Sequence, residues 1–326
     1  MTASGGTYPK HSGRVERNME NTTGLPAQGP FETRHIAFLD TIPNLRPELH
    51  RYCARMTGSV LDGEDVVQEA LFQAYRKLDT FDHARPLKPW LFQIAHNRCI
   101  DFIRSREVRQ QAEAAAMEPD SVEPSDPVGP ILGRAVERMV TALPAKERAC
   151  VLLKDVFDYS LEEISEMVDS TVGGVKAALN RGRSKLASLP QPELPSSTAE
   201  PRAANPELSR LLHLYVERFN RRDWDGLREL ISADAQLRVA DRFAGALAKA
   251  PYYRNYSHWP VEWRLGVGEV DGEPAVIVHF REGERWEPSC VVHLEAANGR
   301  IVRIADYIHC PWIVIAAASL AAGEIS

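Results

Sequence analysis

Between Thr171 and Leu186 the chain carries Lys176, Arg181, Arg183 and Lys185 and no acid. The residues just before, Leu161 to Ser170, carry Glu162, Glu163, Glu166 and Asp169 and no base. Clustered cations of this kind do no covalent chemistry; they neutralise phosphates and release counterions. Side chains able to move protons lie far downstream: His279, His293, Asp306 and His309, all in strand-like sequence. A lone strand histidine is more often structural or at the surface than catalytic, and these lack the tight spacing of metal ligands. The five cysteines (Cys53, Cys99, Cys150, Cys290, Cys310) are scattered without a C-x-x-C pair, which argues against a disulfide framework or a zinc cluster and suits a reducing cytosol. Neither metal nor cofactor is expected.

The composition limits what the cations can do alone. With a net charge of −6 the chain has no bulk attraction for nucleic acid, so any such binding must come from local patches. Charged residues at 26% and hydrophobic ones at 44% describe a soluble globular protein of 326 residues, long enough for two or three domains. The apolar run Trp312 to Ala322 is about half the length needed to span a bilayer. A cytoplasmic protein without membrane contact is the expectation.

The sign change needs elements to position it. Leu161, Ile164 and Val168 share one face of a helix; Val175, Leu179 and Leu186 share one face of the next. Asp169-Ser170-Thr171 supplies the turn, with Ser170 or Thr171 as N-cap. A basic second helix after a turn is what a helix-turn-helix sets in the major groove. The same spacing also fits a plain amphipathic hairpin with solvated charges.

Two further helices lie upstream. Val67, Leu71, Ala74 and Leu78 form a stripe behind the acidic, polar start Asp62, Glu64, Asp65, Gln68 and Glu69. Acids in a first turn complement the macrodipole; with Phe72 and Tyr75 beside them they also suit a protein-docking face. The next helix, Trp90 to Arg106, buries Trp90, Ile94, Ile100 and Ile103 and shows Asn97, Arg98, Arg104 and Arg106 on its polar side, with Lys88 just ahead and Asp101 its one acid. The loop "DHARPLKP" before it is stiffened by two prolines. A basic helix beside a rigid loop suits capture of unpaired bases, and equally a solvated helical face.

Together these segments resemble a known family. "LPAKERACVLLKDVFDYSLEEISEMVDSTVGGVKAALNRGRSKL" closely resembles region 4 of bacterial sigma factors, matching at Leu143, Pro144, Glu147, Tyr159, Glu162, Glu163, Ile164, Val175, Lys176, Leu179, Arg181 and Arg183. "DGEDVVQEALFQAYRKLDTF" and "KPWLFQIAHNRCIDFIRSR" resemble region 2 of the extracytoplasmic-function group. The resemblance covers residues 31 to 189, with region 3 of larger sigmas replaced by a linker. It implies that Asp62, Asp65, Gln68, Glu69, Phe72 and Tyr75 dock on the clamp of core RNA polymerase. It implies that Lys88, Trp90, Asn97, Arg98, Asp101, Arg104 and Arg106 meet the minus-ten element. Thr171, Lys176, Asn180, Arg181, Arg183 and Lys185 would meet the minus-thirty-five element, with region 4 near the polymerase flap. Gly173 and Gly174 depart from the family pattern and weaken the helix start by roughly 1 kcal/mol each relative to alanine. Ala178 stands where an arginine is frequent, which removes a candidate DNA contact.

After the five-proline stretch 189 to 206 the character changes. Amphipathic helix from Leu208 is followed by "VEWRLGVGEV", "EPAVIVHF", "SCVVHLEA" and "RIVRIADYI", joined at Asp271-Gly272 and Asn298-Gly299. This resembles SnoaL-like domains, α+β cones that enclose a pocket; Tyr215, Trp224, Trp263, His279 and Tyr307 are the candidate lining. The aromatic cluster of Tyr252, Tyr253, Tyr256, His258, Trp259, Trp263 and Trp286 could line that pocket and fits plain core as well. The expected architecture is multidomain: a disordered extension (1–30), sigma region 2 (31–109), a linker (110–130), the region 4 helix-turn-helix (131–189), a proline-rich linker (190–206) and an α+β SnoaL-like cone-shaped barrel (207–326). The expected function is a sigma factor, not an enzyme, bound to core polymerase and promoter DNA and modulated by the last domain, with a small ligand there as a further partner.

Overall fold

The computed structural model describes residues 31–82, 84–116, 142–189, 206–240, 242–259, 261–317 and 320–322. The expected N-terminal extension, most of the first linker and nearly all of the second lie outside them. Helices α1 (Phe31–Thr57), α2 (Val60–Lys77) and α3 (Leu87–Ala116) form the first bundle. Gly63 makes the close crossing of α1 and α2: a methyl group there would lie 2.5 Å from the Ala54 nitrogen. The α3 helix runs on to Ala116, past the expected boundary at 109, so the start of the expected linker is helical. "REVRQQAEAAA" has no apolar stripe but consists mostly of strong helix formers.

Helix α4 (Ala145–Val151) continues through a π-helical turn, Leu152–Val156, to α5 (Leu161–Met167) and α6 (Val172–Ser188). Ser160 and Glu163 close a capping box on α5, and Thr171 caps α6 by accepting from the Gly174 N–H at 3.0 Å. Between them Asp169 takes φ 48°, which makes the turn of the helix-turn-helix. One apolar core runs through all six helices, including Tyr52, Phe92, Leu152, Ile164 and Val175. The second set of helices, α4 to α6, is therefore folded against the first bundle. Buried Arg148 donates to the carbonyls of Met56 and Leu143, Tyr159 donates its hydroxyl to Glu48, and Lys88 pairs with Glu48 at 2.9 Å.

The last domain begins with α7 (Pro206–Asn220) and α8 (Trp224–Leu230). Strands β1 (Ile231–Val239), β2 (Phe243–Ala246), β3 (Trp263–Val270), β4 (Glu273–Glu282), β5 (Arg285–Ala297), β6 (Arg300–Asp306) and β7 (Leu320–Ala322) follow, with α9 (Tyr252–Ser257) after β2 and α10 (Trp312–Ala316) before β7. The sheet order is β2-β1-β6-β5-β4-β3-β7. The meander β3 to β6 is antiparallel as expected, and Asp271 (φ 53°), Gly272 (79°), Asn298 (53°) and Gly299 (73°) make its two predicted tight turns. Two features differ from the expectation: β1 pairs with β6 in parallel, and the sheet ends in two edges, so the cone is open.

Alternation along the strands gives the sheet two apolar faces. One buries Leu265, Val276, Val278, Val292 and Ile304 under the helices, with Tyr215, Phe219 and Trp263. The other buries Ala275, Ile277, Val291, Ala305 and Tyr307 against Ala54, Val60 and Leu61 of the first bundle and Ile313 of α10. Among the described residues, the first bundle supplies three of the twelve buried residues of this second core.

Candidate functional site

The acidic start of α2 faces the last domain. Val60 N–H donates to the Asp271 carboxylate at 3.1 Å, while Ser59 caps the Asp62 N–H. Glu64, fully buried, accepts from Arg46 and from the Trp312 indole N–H at 2.9 Å, and the Arg46 guanidinium lies over that indole, 5.2 Å from its centroid. Asp65 pairs with Arg238 of β1 at 2.5 Å and accepts from the Tyr307 hydroxyl at 3.0 Å. Arg238 also donates to the Gln68 side-chain oxygen at 2.7 Å. Asp62 is pushed up to about 6, by burial first and then by the Glu273 carboxylate, against the pull of Arg106 at 3.6 Å. A crevice of about 440 Å³ opens here, between Asp62, Arg106 and Arg109 on one side and Glu273, His293 and Arg303 on the other.

Three of the six expected docking residues, Asp62, Asp65 and Gln68, thus lie at this junction. The rest lie beyond it: Phe72 and Tyr75 are exposed with Ile36 and Leu39 of α1, and Glu69 pairs with Arg98. The sequence missed Arg238, Asp271 and Trp312, since nothing local in "QLRVADR", "VDGE" or "CPWIV" says what they meet.

The expected minus-ten residues separate into two groups. Asn97, Asp101 and Arg104 form one exposed row on α3. Asp101 of that row also pairs with Arg98 at 3.5 Å, and the other expected residues are engaged within the protein. Lys88 lies over the Tyr159 ring and pairs with Glu48, Trp90 packs on Phe81 at 4.6 Å, Arg98 donates to Gln73 at 2.9 Å, and Arg106 pairs with Asp62. Beside them Arg85 of the proline loop is 3.9 Å from Glu166 of α5.

On α6 the cations are also unequal. Arg181 (2.8 Å) and Lys185 (2.9 Å) both pair with Glu147, whose carboxyl they hold below its usual range, and Arg183 pairs with Asp155. Lys176 and Asn180 point outward with Ala177, and Thr171 spends its hydroxyl on the cap. Two expectations change here. Ala178 is fully buried, so this position faces the core and its small size removes no DNA contact. Gly174 is the more crowded of the two: a methyl group there would lie 2.7 Å from Ser170 Oγ, which would have to turn away, whereas one on Gly173 meets only Thr171 Oγ1 at 4.0 Å.

The five residues expected to line a pocket do not share one. Tyr215, Trp224 and Trp263 pack around Phe219 in the helix-side core, with ring centroids at 5.3, 5.2 and 5.5 Å. Tyr307 leaves through the opposite face to reach Asp65. His279 is buried on β4 beside Arg264, and burial lowers its pKa. Successive residues of a strand face opposite sides, so no single cavity can collect all five.

Comparison with known proteins follows the same division. The profile of Sigma-70 region 2 matches residues 42–109, and that of Sigma-70, region 4 matches residues 133–186. The ECF RNA polymerase sigma factor SigW of Bacillus subtilis is 35% identical over 162 residues, covering 46% of this chain and 87% of its own length. The ECF RNA polymerase sigma factor SigG of Mycobacterium tuberculosis is 27% identical over 310 residues, covering 86% of this chain and 83% of its own. The crystal structure of the Mycobacterium tuberculosis extracytoplasmic function sigma factor SigJ, at 17% identity and a TM-score of 0.32, covers 86% of this chain and 99% of its own.

Proposed function

The chain belongs to the extracytoplasmic-function RNA polymerase sigma factors, and from that premise we propose how its surfaces divide the work. As such a factor it binds core polymerase and promoter DNA and directs promoter-specific initiation; the polymerase performs the chemistry. In our reading residues 31–109 dock on the polymerase clamp and engage the minus-ten element, residues 131–189 sit near the flap and read the minus-thirty-five element, and residues 207–326 regulate them in the cytoplasm. Docking falls to the α2 face of Asp62, Asp65, Gln68, Glu69, Phe72 and Tyr75. The minus-ten strand meets Asn97, Asp101 and Arg104 first, with Lys88, Trp90, Arg98 and Arg106 behind. The major groove meets Lys176 and Asn180, while Arg181, Arg183 and Lys185 flank them toward the phosphates. The observation that carries this reading is the outward row on α6, a capped helix whose other side is fixed in the core. A regulatory small ligand fits the junction crevice better than the packed interior of the last domain.

Transcription in vitro with core polymerase tests the reading, on promoters drawn from a genome-wide binding map. The full chain should give specific transcripts. Lys176→Ala with Asn180→Ala should lower them at least tenfold on promoters with an intact minus-thirty-five element. Equal transcription by that variant would remove α6 as the reading helix.

A further inference from the structure

The crevice between the first bundle and the sheet holds charges that do not cancel where they stand. Its helical wall is a stripe on α3, Phe102, Arg106 and Arg109, beside Leu61 and Asp62 of α2. Its sheet wall carries Glu273 at the start of β4, with His293 and Ala305. Two other carboxylates at its rim are closed pairs, Asp65 with Arg238 and Glu295 with Arg303 at 3.0 Å. What remains is two carboxylates, Asp62 and Glu273, against two guanidiniums, Arg106 and Arg109. Among the described residues Glu273 and Arg109 make no ion pair, and Asp62 meets Arg106 only at 3.6 Å, beyond hydrogen-bond length. From this arrangement we infer that the crevice binds a free α-amino acid with an apolar side chain, its ammonium between Asp62 and Glu273 and its carboxylate on Arg106 and Arg109. The inference rests on the reading that a small ligand occupies the junction, and it names the class of that ligand.

Charge, spacing and surface each select that chemistry. Two acids against two bases call for a ligand that carries both signs and no net charge; a phosphate dianion or a polyamine would leave one side unmatched. The acid and base sides adjoin, with Asp62 and Arg106 3.6 Å apart. The complementary groups must therefore sit close together, as ammonium and carboxylate do on a single carbon. An ammonium between Asp62 and Glu273 removes the repulsion that, after burial, pushes Asp62 up to about 6. The carboxylate gains charge-assisted hydrogen bonds from guanidinium forks. Leu61 and Ala305 are buried and Phe102 is half-buried, an apolar lining for the side chain. The crevice volume of about 440 Å³ is within the range of small-molecule sites.

The closing experiment is isothermal titration calorimetry on the full chain. The probes are L-leucine, L-phenylalanine, hydrocinnamate, which lacks the ammonium, and phenethylamine, which lacks the carboxylate. Each half-probe should bind roughly 10-fold or more weakly than L-phenylalanine, the loss of one charge-assisted hydrogen bond. Glu273→Gln should weaken L-phenylalanine by a similar factor without weakening hydrocinnamate. Arg109→Gln, at an exposed helical position, should do the same without weakening phenethylamine. Glu282→Gln, on the same strand but outside the crevice, should change nothing. Circular dichroism checks the folding of all three variants. No binding of either amino acid up to about 10 mM would overturn the inference, and so would unchanged binding in both crevice variants. A half-probe that binds as tightly as the amino acid and is lost in a crevice variant would overturn the amino acid and leave the junction as a ligand site. The sigma role is judged separately by transcription and stands or falls without these titrations.

Discussion

Asp306 is a carboxyl in a fully packed core. Its oxygens accept from the Tyr256 hydroxyl at 2.7 Å and the Ile308 N–H at 2.8 Å, yet burial still pushes it up to about 6. The fold favours the protonated form, so its contribution is whole below about pH 4 and is lost as pH rises through 6. Holding this carboxyl ionised in the folded core costs roughly 3 kcal/mol. Asp306→Asn should therefore flatten the decline in unfolding free energy between about pH 4 and 6, as measured by urea titration at each pH. Glu147 is the opposite case, a carboxylate held charged by Lys185 and Arg181. Glu147→Gln should free both cations and steepen the dependence of DNA affinity on salt by one to two ions, roughly 0.9 per phosphate contact. A duplex carrying the target promoter, followed by anisotropy at several salt concentrations, measures this slope.

At the scale of elements, the three glycines of α6 have different reasons to be glycine. Gly182 faces α4: a methyl group there would lie 2.9 Å from Val151 Cγ2. Gly182→Ala should cost about 1–3 kcal/mol through forced repacking, whereas Gly173→Ala, in open space, should gain roughly 1 kcal/mol of helix propensity. Thermal melts of the two variants should move in opposite directions. Much of this architecture was legible in local chemistry. The helix-turn-helix announced itself by its caps and spacing, and the β3–β4 and β5–β6 hairpins by Asp-Gly and Asn-Gly. Strand β1 did not, because its alternation breaks where the register against β6 shifts between Ile231 and Gln236. Strand β7 is three residues long and exists only by pairing with β3, an origin no local pattern carries. The expected site residues were placed on the correct helices, but which of their atoms are engaged depends on residues over a hundred positions away, as with Asp65 and Arg238.

Across the whole molecule the sigma regions and the last domain share a core, so they should unfold together. Ala54, Val60 and Leu61 complete the second face of the sheet, and buried Glu64 is held by Arg46 and Trp312. Trp312→Phe keeps a ring over the interface but withdraws the indole donor from a buried carboxylate. It should cost about 1–3 kcal/mol and should lower the midpoint of a single calorimetric transition. A second, separate transition would show that the halves are energetically independent. The contact at the head of α2 adds a consequence in time. The Val60 N–H ends on Asp271, 211 residues further along the chain. A ribosome making about 5–20 residues per second needs on the order of ten seconds to pass from the end of region 4 to the C-terminus. During that interval α2 has neither its distant cap nor the sheet that completes the second core, so both form only after the sigma regions have left the ribosome.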